Sequence, residues 1–321
     1  QNATFSGEVS TTNAKLKAIA KDISDTAVDV FVYDTRKDSD GGAWRKRTQN
    51  TSWYNEALNT ATRGARKEFP SVAVIVVESK KITIYDGDDP DMPMWMVFNV
   101  GVDMSNETLF RGATASSLAM LNATLCVGTS DTMGLVSFID EYSNLYHSSQ
   151  SYYWPTRVGI IDRNVVIAEP TSRGNGIGLV NAQINDVAMT VLPNAPIDLT
   201  TGLPVPTIAV ATDGGVSVIT DSGAVYDSAY TEATRDIAFD GDNTLFYMRN
   251  ASSYLLLMAE PSEYASGDGF GASIASSGVG GQDFDLISLR SQTTTAFSKG
   301  FVASGGVAST AGSRLLGLYD I

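Results

Sequence analysis

Thr207-Ile-Ala-Val-Ala-Thr-Asp-Gly-Gly-Val-Ser-Val-Ile-Thr-Asp221, continued by Ala224-Val-Tyr-Asp227, reads as three short strands joined by two turns. The Asp-Gly-Gly step supplies the positive φ that a tight hairpin turn needs. The Asp221–Gly223 turn then brings the chain back for a third strand. A second copy of this unit runs Thr124-Leu-Cys-Val-Gly-Thr-Ser-Asp131, Gly134-Leu-Val-Ser-Phe-Ile-Asp140 and Asn144-Leu-Tyr-His147. A third begins earlier, at Val74-Ile-Val-Val-Glu-Ser-Lys-Lys-Ile-Thr-Ile-Tyr-Asp86.

Weaker echoes fill the gaps. Gly159–Pro170 reads as two short strands about Asp162–Asn164, and Asp236–Tyr247 as a strand, an Asp-Gly-Asp-Asn turn and a strand. Tyr254–Ala259, Leu286–Arg290, Thr294–Val302 and Arg314–Tyr319 complete the series. A repeat of roughly 40–50 residues with four strands is the mark of a β-propeller. A β-sandwich also gives short strands and turns, but its Greek-key order has no reason to repeat one hairpin unit. The expected fold is therefore mainly β, a β-propeller of roughly five to seven blades, with a small mixed N-terminal region.

Composition agrees. The chain has 321 residues, 43% hydrophobic and 18% charged, with 29 glycines. That mixture favours strands and turns and argues against a coiled coil, a helical bundle or a disordered tail. The net charge of −14 disfavours nucleic acid and anionic membranes as partners. It is unevenly spread. Residues 1–81 hold 13 basic and 10 acidic side chains, a net of +3, and residues 82–321 hold 9 and 26, a net of −17. The one cysteine, Cys126, sits in an apolar run and packs as a small hydrophobe. No apolar run approaches the ~18 residues of a membrane span, no signal segment is evident, and no membrane insertion is expected.

Residues 1–70 read as an arm with a strand and a short helix, and residues 71–321 as the repeat domain. Lys15–Ile23 could form a short helix, and Val28–Tyr33 alternates as a strand. Trp44, Arg45, Lys46 and Arg47 begin a second strand. Trp53–Lys67 places Leu58, Ala61 and Ala65 at near-helical spacing and predicts a helix ended by Phe69-Pro70. Strand Val28–Tyr33 is a candidate to close the ring, unless the chain is one segment of a longer protein.

Motifs for chemistry are thin. Gly174-Asn-Gly-Ile-Gly178 lacks the third glycine and the following helix of a dinucleotide loop. Ser39-Asp-Gly-Gly-Ala-Trp44 approaches the Asp-box turn of sialidase propellers but misses its spacing, so Trp44 is read as packed beneath a structural turn. Asp86-Gly-Asp-Asp-Pro-Asp91 and Asp240-Gly-Asp-Asn243 are acidic turns without the bidentate glutamate of a calcium loop. His147 is the only histidine, at a turn-like repeat position, and no Gly-x-Ser-x-Gly elbow accompanies it. No catalytic residues, metal ligands or cofactor are assigned.

Two clusters suit contact instead. Tyr142, Tyr146, Tyr152, Tyr153 and Trp154 lie among Ser, Asn and Gln, a composition that serves sugar or protein recognition. Arg45, Lys46 and Arg47 lead the basic segment and are expected to dock on an acidic neighbour, in the same ring or an adjacent subunit.

The run Val28–Thr48 with Thr51–Glu56, and the run Ile82–Phe98, resemble long structural proteins of marine tailed bacteriophages, of the tail or fibre type. The resemblance covers residues 28–98 and, through the repeats, more generally 121–260. It carries no catalytic motif and implies a virion component. The expected function is a non-enzymatic structural or attachment module of the extracellular particle, in multi-copy or homo-oligomeric contact with other virion proteins and with a host-surface glycan or protein. The alternative is a glycan-binding or glycan-active propeller of the glycoside hydrolase class, whose paired carboxylates cannot be picked from sequence.

Overall fold

The computed structural model describes residues 26–101, 108–148, 150–153, 159–165, 172–173, 178–250, 254–265, 267–273, 294–298, 301–307 and 314–320. It is mainly β. Among the described residues the strands form five sheets in chain order. The first holds β1 (Ala27–Asp34), β2 (Val72–Glu78), β3 (Lys81–Asp86), β4 (Met94–Gly101) and β5 (Phe110–Arg111). The second holds β6 (Ala115–Leu121), β7 (Thr124–Thr129), β8 (Met133–Ser137), β9 (Ser143–His147), β10 (Gln150–Tyr153) and β11 (Ser172–Arg173). The third holds β12 (Ile184–Thr190), β13 (Thr207–Thr212), β14 (Gly215–Ile219) and β15 (Val225–Asp227). The fourth holds β16 (Thr234–Phe239), β17 (Leu245–Asn250), β18 (Tyr254–Ala259) and β19 (Ala272–Ser273). The fifth holds β20 (Thr294–Ser298), β21 (Phe301–Val307) and β22 (Arg314–Asp320).

Each sheet is an up-and-down meander; only the short β4–β5 pair is parallel. The three copies of the repeat unit are β2–β3, β7–β8–β9 and β13–β14–β15, with the hairpin pairing expected of them. Every residue of β13 and β14 is buried. A strand covered on both faces belongs to a sheet stacked between two others. Strands β1, β6, β12 and β16 lead their sheets and lie side by side. A cavity of about 540 Å³ lies between them. The arrangement is propeller-like.

A hydrogen-bond relay ties these inner strands together. Register shifts fall at Ala27/Asp29 in β1, Ala115/Ser117 in β6, Ile184/Asp186 in β12 and Thr234/Ile237 in β16. Such a bulge releases a backbone N–H from its ladder. The Leu118 N–H donates to Asp29 Oδ2 at 3.0 Å, and the Ile237 N–H to Asp186 Oδ2 at 3.0 Å. Ser117 Oγ lies 2.6 Å from Asp186 Oδ1 and 3.3 Å from Asp29 Oδ2, joining three sheets. Burial pushes the Asp186 carboxyl up to about 7, against its hydrogen bonds from Ser117, Ile237 and Val187.

β1 pairs with β2 inside the first sheet, and Trp44, Trp53 and Phe69 share one core with Ile75, Trp95 and Phe138. Three expectations about local structure are corrected. Ala43–Arg47 is a 3-10 helix rather than a strand; Gly42 enters it at φ +81°, and Trp44 Nε1 donates to the buried Asp38 at 2.7 Å. The expected helix over 53–67 is a chain of turns with isolated bridges. Ala61 and Ala65 are exposed there, and the buried side chains are Trp53 and Arg63.

Arg63 explains the outcome. Its Nε pairs with Glu56 Oε1 at 2.8 Å, its Nη1 and Nη2 donate to the carbonyls of Trp95 and Lys67, and its guanidinium lies 4.3 Å from the Trp95 ring. Arg163 meets the other oxygen of Glu56 at 2.8 Å and donates to the carbonyls of Val97, Ile160 and Thr62. It follows a 3-10 turn at Ile160–Asp162, where two strands about Asp162–Asn164 were expected. These long-range partners outweigh a weak stripe of one leucine and two alanines. The helix expected at Lys15–Ile23 and the strand at Leu286–Arg290 lie outside the described residues.

Glu56→Gln keeps the shape of this cluster but leaves two buried guanidiniums without a counter-charge. A loss of about 3–5 kcal/mol in denaturant unfolding is expected; a change within ~0.5 kcal/mol would refute the assignment. Asp186→Asn sets an amide N–H₂ against the Ile237 N–H or takes away an acceptor from Ser117, so about 1–3 kcal/mol should be lost. The pH dependence has a defined sign. A carboxyl raised from its ordinary value of 3.8 to about 7 favours folding at low pH, and that contribution is lost as pH rises through about 7. Unfolding midpoints of the wild type should therefore fall between pH 5 and 8 more steeply than those of Asp186→Asn; equal slopes would contradict it.

Candidate functional site

The turns joining first to second and third to fourth strands gather at one end of the molecule. There the β1–β2 connection is an excursion over residues 35–71, and the β12–β13 connection is a hairpin over residues 191–206. Asn122 welds them together. It sits in the tight β6–β7 turn at φ +48°, accepts the Ser39 N–H on Oδ1 at 2.9 Å and donates from Nδ2 to the Pro204 carbonyl at 2.9 Å. Its own N–H donates to Asp38, at 2.9 Å, and Asp38 also accepts the Tyr33 hydroxyl and the Trp44 indole. Burial raises the Asp38 carboxyl above its usual range. Trp44 is fully buried, in keeping with its reading as a packed structural residue.

Between the second and third sheets this end opens into a cleft of about 510 Å³. Tyr142 and Tyr146 line it, with Asp140 from the β8–β9 turn, Asp221 from the β14–β15 turn, and Asp198 from the hairpin. Tyr142 is 42% exposed, whereas Tyr146 is buried and packs with Met133, Ile208 and Ile219. Asp198 Oδ1 accepts the N–H groups of Thr200 and Thr201 at 2.7 and 2.8 Å, and Asp140 Oδ1 that of Tyr142 at 3.2 Å. Leu203 anchors the hairpin in the large core. Its tip presents Leu199, 99% exposed, and Ile197.

The expected aromatic cluster is thus divided. Tyr142 and Tyr146 share the cleft. Tyr152 and Tyr153 lie in β10, paired with β9 and β11, and Trp154 lies outside the described residues. The basic cluster falls at the same end. Arg45 Nε donates to the Phe69 carbonyl at 2.7 Å, Lys46 is exposed, and Arg47 pairs with Asp40 at 2.9 Å. A Cβ at Gly202 of the hairpin would lie 3.3 Å from the Arg47 guanidinium. The sequence reading did not single out Asp198, Leu199 or Asp221. The proline-flanked run Pro196-Ile-Asp-Leu-Thr-Thr-Gly-Leu-Pro204 was the available signal, since apolar residues stand there among turn formers.

Other candidates resolve into structure. His147 Nδ1 lies 2.8 Å from the Ser148 carbonyl and must carry the proton to bond it, so it cannot accept one from Ser148 Oγ. Its Nε2 is 3.5 Å from Asp131, which Arg111 holds at 2.8 Å. Asp88, despite partial burial, is held down at about 2 by hydrogen bonds from Ser71, Arg66 and Val72. Asp240 accepts the N–H groups of Asp242 and Thr244 in its turn. Among the described residues no three His, Cys, Asp or Glu side chains converge as metal ligands, and no helix is long and apolar enough to cross a membrane.

No family model matches the chain, and no curated protein matches it in sequence. Solved structures similar to it include a protein of unknown function from Bacteroides thetaiotaomicron, at 10% identity over 72% of this chain and 53% of that one, with a TM-score of 0.35. A putative 6-phosphogluconolactonase from Bacteroides uniformis matches at 10% identity over 78% and 82%, TM-score 0.35. PorZ, a surface component of the type-IX secretion system of Porphyromonas gingivalis, matches at 11% over 77% and 45%, TM-score 0.25. The chain spans about half the length of the first of these. Likenesses this distant carry nothing about activity.

The two tyrosines should separate in mutation. Tyr142→Ala removes an exposed ring, and stability should stay within ~0.5 kcal/mol. Tyr146→Ala empties part of the core between two sheets and should cost on the order of 2–4 kcal/mol. Chemical denaturation of both variants checks the pair; equal costs would misplace Tyr142.

Proposed function

We propose that this chain is a non-enzymatic structural and attachment module of a tailed-bacteriophage virion, built as a closed five-bladed β-propeller that makes its contacts through the elaborated end. The observation that carries the reading is the cleft itself. A half-exposed tyrosine, an apolar hairpin tip and a basic loop converge at one end, as a contact surface requires. The resemblance of residues 28–98 to phage tail and fibre proteins supplies the setting. Ring closure is supported by β1, whose Val28, Val30 and Val32 are 52%, 52% and 59% exposed. That apolar face is where a final blade would pack against the first.

A glycan-binding or glycan-cleaving propeller is the second reading, favoured by Asp140, Asp198 and Asp221 lining the same cleft as the tyrosines. Two measurements test the proposal. Antibody against the chain should label the tail or fibres of purified particles in electron microscopy, and unlabelled particles would overturn the virion assignment. Incubation with host surface polysaccharide should release no oligosaccharide. Release that Asp140→Asn or Asp221→Asn abolishes would replace attachment by hydrolysis.

A further inference from the structure

The hairpin over residues 191–206 carries its apolar tip outward. Asp198 and Thr200 line the cleft of about 510 Å³, whereas Leu199 between them does not. Leu199 stands almost wholly in solvent, and Ile197 is more than half exposed. The tip is rigid. Asp198 Oδ1 accepts the Thr200 and Thr201 N–H groups, the Val205 N–H donates to the Pro196 carbonyl at 2.9 Å, and Leu203 is locked in the large core. Holding a leucine in water gains nothing within one chain. A fixed apolar knob of this kind marks a surface that a partner covers.

The same face holds a recess that fits the knob. Leu135, Tyr146, Ile208 and Ile219 line the cleft and belong to one apolar cluster between the second and third sheets. A cleft of this size takes a few side chains, yet the chain's own Leu199 is turned away from it. Knob and recess thus lie side by side. That arrangement closes as a pair about a two-fold axis, each knob entering the partner's recess; on opposite faces they would build rings or open fibres instead.

Charge follows the same symmetry. The hairpin meets the basic loop at Gly202, where a Cβ would lie 3.3 Å from the Arg47 guanidinium, and Lys46 beside it is exposed. The hairpin meets the cleft at Asp198, where Asp140 and Asp221 also line it. One face therefore carries, among the described residues, an apolar knob with basic groups next to it and acidic groups next to its recess. A two-fold through such a face sets the basic part of one copy across from the acidic part of the other. The net charge of −14 opposes association at long range, but at 0.15 M salt that repulsion is screened beyond about 8 Å, and pairs in contact are screened much less.

Resting on the reading of this end as the contact surface, we infer that its partner is a second copy of this chain. In this isologous dimer the Leu199 of each hairpin tip enters the other copy's cleft, and Lys46 faces Asp221 across the two-fold.

Sedimentation velocity of the full chain in 0.15 M salt, from roughly 1 to 200 μM, should show a concentration-dependent shift from one chain to two. Leu199→Asp should abolish the shift, with the fold intact because that side chain lies in solvent. Lys46→Glu and Asp221→Lys should each weaken dimerisation about tenfold. The β14–β15 turn survives the second change, since backbone bonds from the Thr220 N–H to the Ala224 carbonyl at 2.8 Å and from the Gly223 N–H to the Thr220 carbonyl at 2.9 Å close it. In a mixed dimer of those two variants, one contact has both charges exchanged and the other has both unchanged. Mixing them should therefore restore association to near the wild-type level. A mixture no tighter than either variant alone overturns the inference. So does a wild type that stays monomeric throughout, or a dimer indifferent to Leu199→Asp. The contact-surface reading fails separately. A monomeric wild type whose retention on purified particles or host cells falls with Leu199→Asp would sink the second copy and keep the surface; retention and sedimentation both indifferent to Leu199→Asp would sink both.

Discussion

A carboxylate at the start of one inner strand accepts a hydrogen bond from the bulged backbone of the next. Asp29 takes the Leu118 N–H in this way, and Asp186 the Ile237 N–H. Within a sheet the ladder satisfies its own backbone, so nothing polar remains to join sheet to sheet except where a bulge frees a donor. The cost of burying Asp186 is offset only in part by its three donors. Ser117 stands where β1, β12 and β16 carry Asp29, Asp186 and Asp236. It turns the series into a relay, because a hydroxyl can donate to one carboxylate while accepting from the other when that one is protonated. The angular placement of the sheets, and so the cleft between the second and third, depends on these bonds.

The elaborated end shows how such a frame is furnished. Two long connections, over 35–71 and 191–206, lie where the inner turns of the frame emerge. Turns, short 3-10 segments and isolated bridges satisfy only part of their backbone, and side chains of the connections and of the frame hold the rest. Asn122, Asp38, Glu56 and the two buried arginines are those side chains. A buried ion cluster adds little net stability over a hydrophobic one, but it fixes geometry, because guanidinium donors accept only particular carbonyl positions. The contact surface is therefore rigid although much of it is loop.

Charge divides along the same line. The N-terminal region carries the positive excess, and much of it is paired within the molecule: Arg63 with Glu56, Arg66 with Asp86 and Asp88, Arg47 with Asp40. Lys46 stays exposed. The cleft keeps its carboxylates without such neighbours. An acidic recess beside a basic loop is a local arrangement of charge that the overall charge of the chain does not reveal.

The local elements were legible where local forces decide them. An Asp-Gly turn between apolar runs marked β13–β14, and a Ser-Asp turn between similar runs marked β7–β8, since turn geometry and strand alternation need only neighbours in sequence. Residues 53–67 were misread because Leu58, Ala61 and Ala65 offered helical spacing, while the decisive partners of Arg63 lie at Trp95 and Glu56 and those of Trp53 at Phe138. Which tyrosine faces the cleft, and that Asp140, Asp198 and Asp221 meet there, was beyond the sequence. Those three carboxylates come from turns of two different sheets and an intervening hairpin, and only the stacking of sheet on sheet brings them together.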